Sequence, residues 1–119
     1  MVIDKYLKKL YEQHTSNSFK IDSSSIHGRG CFAKRLFKKG DFINHHFEPG
    51  NKITKFGSYL NHSNNPTAIS KKGDNGYEPV HALKDISKGD EITLNYKNRP
   101  DLEQPFTEWD WCKYLIPLI

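Results

Sequence analysis

The sequence predicts a mainly β domain, and three observations carry that expectation. Over residues 19–96, short apolar runs are cut by turn signals at Lys39-Gly40-Asp41, Glu48-Pro49-Gly50, Asn64-Asn65-Pro66, Lys72-Gly73-Asp74-Asn75-Gly76 and Lys88-Gly89-Asp90. That is the pattern of strands joined by tight connections. Eight Gly and six Pro are spread along the 119 residues, which disfavours long helices. Third, Arg35-Leu36-Phe37-Lys38-Lys39-Gly40-Asp41-Phe42-Ile43 resembles Lys84-Asp85-Ile86-Ser87-Lys88-Gly89-Asp90-Glu91-Ile92. Two copies are too few for a solenoid but suit two quasi-equivalent hairpin corners in one domain.

The elements follow in order. Residues 3–13 read as a short helix, with Asp4 in its first turn and Ile3, Leu7, Leu10 and Tyr11 along one side. Thr15-Ser16-Asn17-Ser18 ends it, and residues 19–22 begin the strands. Asp74-Asn75-Gly76 suits a tight turn, because Asn and Gly tolerate positive φ. In Glu91-Ile92-Thr93-Leu94-Asn95, Ile92 and Leu94 alternate with Thr93 and Asn95 as in a half-buried strand. Residues 97–105 are polar and irregular. Residues 107–118 are aromatic-rich and read as a second short helix, with Thr107 as N-cap and Pro117 near its end. The length fits one domain, 1–119, made of an N-terminal helical part (1–18), a β core (19–96) and an aromatic tail (97–119).

Composition limits the function classes. The net charge is +4, carried almost wholly by Lys, with Arg only at 29, 35 and 99. The lysines occur as scattered pairs (Lys8-Lys9, Lys38-Lys39, Lys71-Lys72), as on a solvated surface. Nucleic-acid readers instead cluster Arg and Lys on one face, so nucleic acid is not expected as a partner. Cys31 and Cys112 stand far apart with no CxxC pair, which removes a zinc site of the usual spacing. The N-terminus lacks the apolar run of a secretion signal, and nothing approaches the ~18 apolar residues of a membrane span. The expectation is a soluble, intracellular protein with reduced thiols.

Three segments are unusual together. In Ile26-His27-Gly28-Arg29-Gly30-Cys31-Phe32-Ala33, two glycines one residue apart permit close backbone approach to a ligand or a strand. No helix follows, so the dinucleotide fingerprint fails. Tyr59-Leu60-Asn61-His62-Ser63-Asn64-Asn65-Pro66 brings an amide and an imidazole, which can recognise a zwitterion or an adenine, or can simply cap their own turn. Gly89-Asp90-Glu91-Ile92-Thr93-Leu94-Asn95-Tyr96 ends a strand on a tyrosine, usually a packing residue with its hydroxyl in water. Cys31 sits in an apolar strand and reads as core rather than as a catalytic thiol. His45 and His46, adjacent on a strand, point to opposite faces and so do not share a metal.

In combination these segments resemble the SET-domain lysine methyltransferases. The order is the family's: a GxG segment with an aromatic and a small residue, a Lys-Lys-Gly-Asp turn, an Asn-His-Ser segment with a Pro three residues after its Ser, and a D-I-x-K-G-D-E-I-T-x-x-Y strand. The resemblance covers residues 25–96. It implies the family's β-clip of short strands and small sheets, with a threaded pseudoknot that brings the Asn61 and Tyr96 segments together. It implies S-adenosylmethionine as cofactor and a protein carrying a lysine as partner. Backbone around Gly28, Arg29 and Gly30 would lie along the methionine part of the cofactor. Asn61 would sit near its amino-acid end, and His62 would meet the adenine through backbone contacts. Tyr96 matches the catalytic tyrosine and would also touch the cofactor. Tyr59, Trp109 and Trp111 are candidates to wall the lysine channel. No metal is implied.

The chain departs from the family pattern as well. Only 17 residues lie between Ile43 and Asn61, where many members carry a longer insert that walls the substrate groove. Asn64 replaces the usual Cys after Asn-His-Ser, and Ser58 stands where Arg is common. A second copy of the chain, forming a homodimer, or the N-terminal helix are the candidates to replace the groove wall. The alternative to an enzyme is a non-catalytic β-clip scaffold, or a different β-clip whose paired corners bind a sugar or peptide.

Overall fold

The computed structural model describes residues 17–99. The two expected terminal helices, at 3–13 and 107–118, lie outside the described residues, as do Trp109 and Trp111. Eight strands and one α-helical turn follow one another: β1 (Phe19–Ser23), β2 (Arg29–Ala33), β3 (Phe42–Glu48), β4 (Lys52–Ile53), the one-turn helix α1 (Lys55–Ser58), β5 (Asn61–His62), β6 (Ala68–Ser70), β7 (Glu78–Ala82) and β8 (Glu91–Leu94), with short 3-10 turns at Asp74–Gly76 and Tyr96–Asn98. They form two four-stranded sheets, ordered β1-β2-β8-β5 and β4-β3-β7-β6. The chain is mainly β, as its turn spacing predicts.

All pairings but one are antiparallel. The exception is β5 against β8, which run parallel with Asn61 opposite Thr93 and His62 opposite Leu94. This pairing carries the Asn-His-Ser segment alongside the strand that ends at Tyr96. The core between the sheets is built from Cys31, Phe37, Ile43, Phe56, Val80, Ile86, Ile92 and Leu94, all nearly solvent-free. Thr93 is buried too, which differs from the half-buried alternation the sequence suggests. It faces Thr67 rather than water: the Thr93 N–H donates to the Thr67 hydroxyl at 3.0 Å, and the Thr67 N–H donates to the Thr93 hydroxyl at 3.2 Å. A hydroxyl with a partner at each role can be buried at little cost.

The repeated corners are related by a local two-fold arrangement. Phe37 and Ile86 exchange both backbone hydrogen bonds, at 2.9 and 2.7 Å. In one copy Asp41 accepts from the Lys38 N–H at 2.9 Å, and in the other Asp90 accepts from the Ser87 N–H at 3.1 Å. Gly40 and Gly89 take φ of +91° and +94°, a conformation that L side chains avoid. Each then donates to an alanine carbonyl, Ala82 and Ala33 respectively, both at 2.8 Å. The duplicated Lys-Gly-Asp is thus one turn built twice. The Asp74–Gly76 turn also has its positive φ where the sequence places it, at Asn75 (+61°) and Gly76 (+84°).

Candidate functional site

The three segments singled out in the sequence meet at one edge of the first sheet. Asn61 opens β5, and its amide nitrogen reaches into the loop between β1 and β2. Nδ2 donates towards the Ser24 hydroxyl (3.1 Å), the His27 carbonyl (3.1 Å), the Arg29 carbonyl (3.2 Å) and Glu91 Oε2 (2.9 Å). The segment caps part of its own turn, with the Ser63 hydroxyl accepting from the Asn65 N–H at 3.0 Å, but Asn61 is directed elsewhere. Its Asn ties together residues 30 to 37 positions away in sequence.

Gly28 and Gly30 have different reasons to be glycine. Gly28 takes φ of +48° with open space where a Cβ would stand. Gly30 is close-packed: a Cβ there would overlap the Glu91 carboxylate and come within 3.0 Å of Asn61 Nδ2. Between them Arg29 is exposed, and its guanidinium donates to the Ile21 carbonyl at 3.4 Å. The GxG backbone is thus open at Gly28 and packed against the Asn61 amide at Gly30, with the His27 and Arg29 carbonyls turned to that amide.

His62 uses its ring in a way the sequence does not indicate. The Tyr96 N–H donates to Nδ1 at 3.1 Å, which leaves Nε2 to carry the proton and face Asn64 Oδ1 at 3.3 Å. A backbone donor therefore selects the tautomer. The two rings also meet edge-on, with centroids 6.0 Å apart. The His62 imidazole orients the tyrosine.

The Tyr96 hydroxyl is not left to water. It donates to the Leu60 carbonyl at 2.7 Å, one residue before Asn61. With its proton committed there, the oxygen lone pairs are directed elsewhere and accept from any N–H brought to them. Asn95, the N-cap of the turn that follows, accepts from the Lys97 N–H at 3.0 Å. Tyr59 precedes Leu60 in sequence and is 37% exposed.

Two residues at the site have no assignment from sequence. Glu91 bridges the Ser24 hydroxyl (2.7 Å) and the Asn61 amide. Arg99 follows Tyr96 by three positions and is buried. It pairs with Glu78 at 2.6 Å and donates to the Ser70 hydroxyl at 3.0 Å, and Ser70 in turn meets His46 Nδ1 at 2.9 Å. This network pins the segment after Tyr96 to the second sheet. A signal existed in the rarity of Arg among so many Lys, but nothing in the sequence indicates its partners. A recess of about 10 Å³ between Ser70, Leu94, Tyr96 and Arg99 is roughly the size of one water.

Cys31 takes no part in chemistry. Its thiol is fully buried and donates to the Phe56 carbonyl at 3.2 Å. Burial, helped by the negative charge of Glu91, pushes it up to about 12. His45 and His46 do lie on opposite faces. His45 stacks among Phe42 and Tyr77, and burial lowers its proton affinity. His46 faces Ser70.

The site fits a ligand with a zwitterionic amino-acid end. Carbonyl and carboxylate acceptors surround one oriented side-chain amide there, and close packing at Gly30 seats that amide and the Glu91 carboxylate against the glycine backbone. Residues 44–97 match the model of the SET domain family. Among solved structures, a crystal structure of a Plasmodium falciparum protein described as a candidate histone methyltransferase superposes with a TM-score of 0.58. It is 24% identical, and the match covers 67% of this chain and 93% of the other. Among curated proteins, none matches the sequence at a significant level. Among the described residues no helix is long and apolar enough to cross a membrane.

Proposed function

We propose that this chain, which carries a SET domain, is an S-adenosylmethionine-dependent methyltransferase acting on the ε-amine of a lysine in a protein. One observation carries the reading. The parallel pairing of β5 with β8 sets the Asn61 amide, the Gly28–Gly30 backbone and the Tyr96 hydroxyl on one edge of the fold. When bound, the cofactor would supply a methyl group made electrophilic by its sulfonium.

The chain's own residues divide the remaining tasks. Gly28, Arg29 and Gly30 offer backbone to the methionine portion, and Asn61 meets its amino-acid end. His62 gives its backbone to the adenine side and its ring to Tyr96. The Tyr96 hydroxyl, its proton held by Leu60, accepts from the incoming amine and aims the nitrogen. That amine must arrive neutral, although a free lysine titrates near 10.4. Apolar channel walls disfavour the ammonium, and Tyr59 is the described candidate for one of them, with Trp109 and Trp111 proposed for the others. The enzyme needs to position and desolvate, not to supply a nucleophile or a metal.

The 17-residue link between Ile43 and Asn61 favours a second reading, a SET-like scaffold without catalysis. Beyond the remainder of β3 it holds only β4 and the single turn α1. The experiment that separates the two is methyl transfer from labelled S-adenosylmethionine to a lysine-rich peptide library. Under the enzymatic reading, wild type labels lysine and Tyr96→Phe loses about 10²-fold or more in rate. A folded wild type that binds the cofactor and labels nothing supports the scaffold.

A further inference from the structure

Glu91 opens β8 beside the site, and its carboxylate joins two pieces of chain distant in sequence. Oε1 accepts from the Ser24 hydroxyl at 2.7 Å, and Oε2 accepts from Asn61 Nδ2 at 2.9 Å. The same Nδ2 has three more acceptors around it: the Ser24 hydroxyl oxygen and the carbonyls of His27 and Arg29. An amide nitrogen has two N–H donors and no lone pair to offer. Four acceptors about one position therefore decide which end of the Asn61 amide faces inward. The planar amide then turns Oδ1 away from the cage. An oxygen so presented recognises a donor.

We propose that Glu91 is a positioning residue for the amino-acid end of the cofactor. It holds Asn61 with Oδ1 outward, and so makes the site select a ligand bearing an α-ammonium over the same ligand without one. This rests on the cofactor reading above. The negative charge of Glu91 adds to the selection, because three carbonyl or hydroxyl acceptors and one carboxylate give the region a potential favourable to a cation.

Ser24 makes the arrangement sensitive to the carboxylate itself. Its oxygen already accepts from the N–H groups of Ile26 (2.9 Å) and His27 (3.4 Å), so its proton needs an acceptor at position 91. A glutamine there cannot satisfy both neighbours. With its oxygen towards Asn61, its NH2 meets the Ser24 proton. With its NH2 towards Asn61, two amide nitrogens oppose each other, and Asn61 turns to present donors outward.

The test is calorimetric titration of the full chain with S-adenosylhomocysteine and with its counterpart lacking the α-amino group. Wild type should prefer the amine-bearing ligand by about ten-fold or more, the scale of one charge-assisted hydrogen bond. Glu91→Gln should bring that preference within about three-fold, weakening only the amine-bearing ligand. Ser24→Ala should shift the ratio the same way by less, and it serves if Glu91→Gln does not fold by circular dichroism. A purely structural role would weaken both ligands together, and that result, or an unchanged ratio, overturns the proposal. Wild type binding both ligands equally sinks this inference alone. Wild type binding neither removes the cofactor reading and this one with it.

Discussion

Asn61 and Gly30 act as a pair, since the amide approaches a backbone that only glycine leaves open. Gly30→Ala must push the Glu91 carboxylate aside and crowd Nδ2. The expected cost is about 1–3 kcal/mol in urea denaturation, the usual range for overpacking, together with weakened binding of S-adenosylhomocysteine. A second residue-scale prediction concerns Cys31. Thiolate is the reactive form, and a thiol pushed up to about 12 stays protonated through ordinary pH. Peptide-resolved alkylation by iodoacetamide should therefore leave Cys31 unmodified at pH 8 in native protein and modify it in urea. Rapid native labelling would contradict the buried assignment. At this scale the sequence was partly legible. Residue types at Gly28, Asn61, His62 and Tyr96 are visible as motifs. Their partners are not, because Asn61 finds Glu91 and Ser24 through folding, and Glu91 looks like any acid at the start of a strand.

The two Lys-Gly-Asp corners show what an element inherits from its sequence. The repeat implies equal turns, and equal turns imply equal cost when broken. At both Gly40 and Gly89 a Cβ would meet nothing within 4 Å, so the penalty for alanine is backbone strain alone. Each substitution should lower stability by about 1–2 kcal/mol, and the two values should agree within error in thermal or chemical unfolding. A large inequality would show that the corners are not equivalent in energy. The segment after Tyr96 behaves differently, since its anchor is a buried ion pair. Arg99→Ala leaves the Glu78 carboxylate, with its side chain 14% exposed, without its cation, and should cost about 3 kcal/mol. Glu78→Gln combined with Arg99→Met should recover part of that loss. This anchor was illegible beforehand: residues 97–105 read as polar and irregular, and an arginine's partner on another sheet leaves no local pattern.

Over the whole molecule, the turn spacing and apolar alternation predict a mainly β chain, and two four-stranded sheets are what forms. The parallel contact between β5 and β8 is the feature that no local pattern reveals. Both strands are short and the pair is joined through β6 and β7, so only the family resemblance points to it. That contact is also what assembles the candidate site, which ties the fold to the proposed chemistry. Thr93, expected to face water, is buried because Thr67 packs against that face of β8 and bonds to it. The short link between Ile43 and Asn61 makes substrate recognition the property least fixed by this architecture, whereas the proposed cofactor binding rests on residues that meet at one edge. The most direct measurement is therefore calorimetric titration of the full chain with S-adenosylmethionine and S-adenosylhomocysteine, with Asn61→Ala alongside wild type. The account predicts saturable one-site binding of both ligands, weakened about ten-fold or more by the substitution. A folded wild type that binds neither, or an Asn61→Ala variant that binds as tightly as wild type, would contradict it.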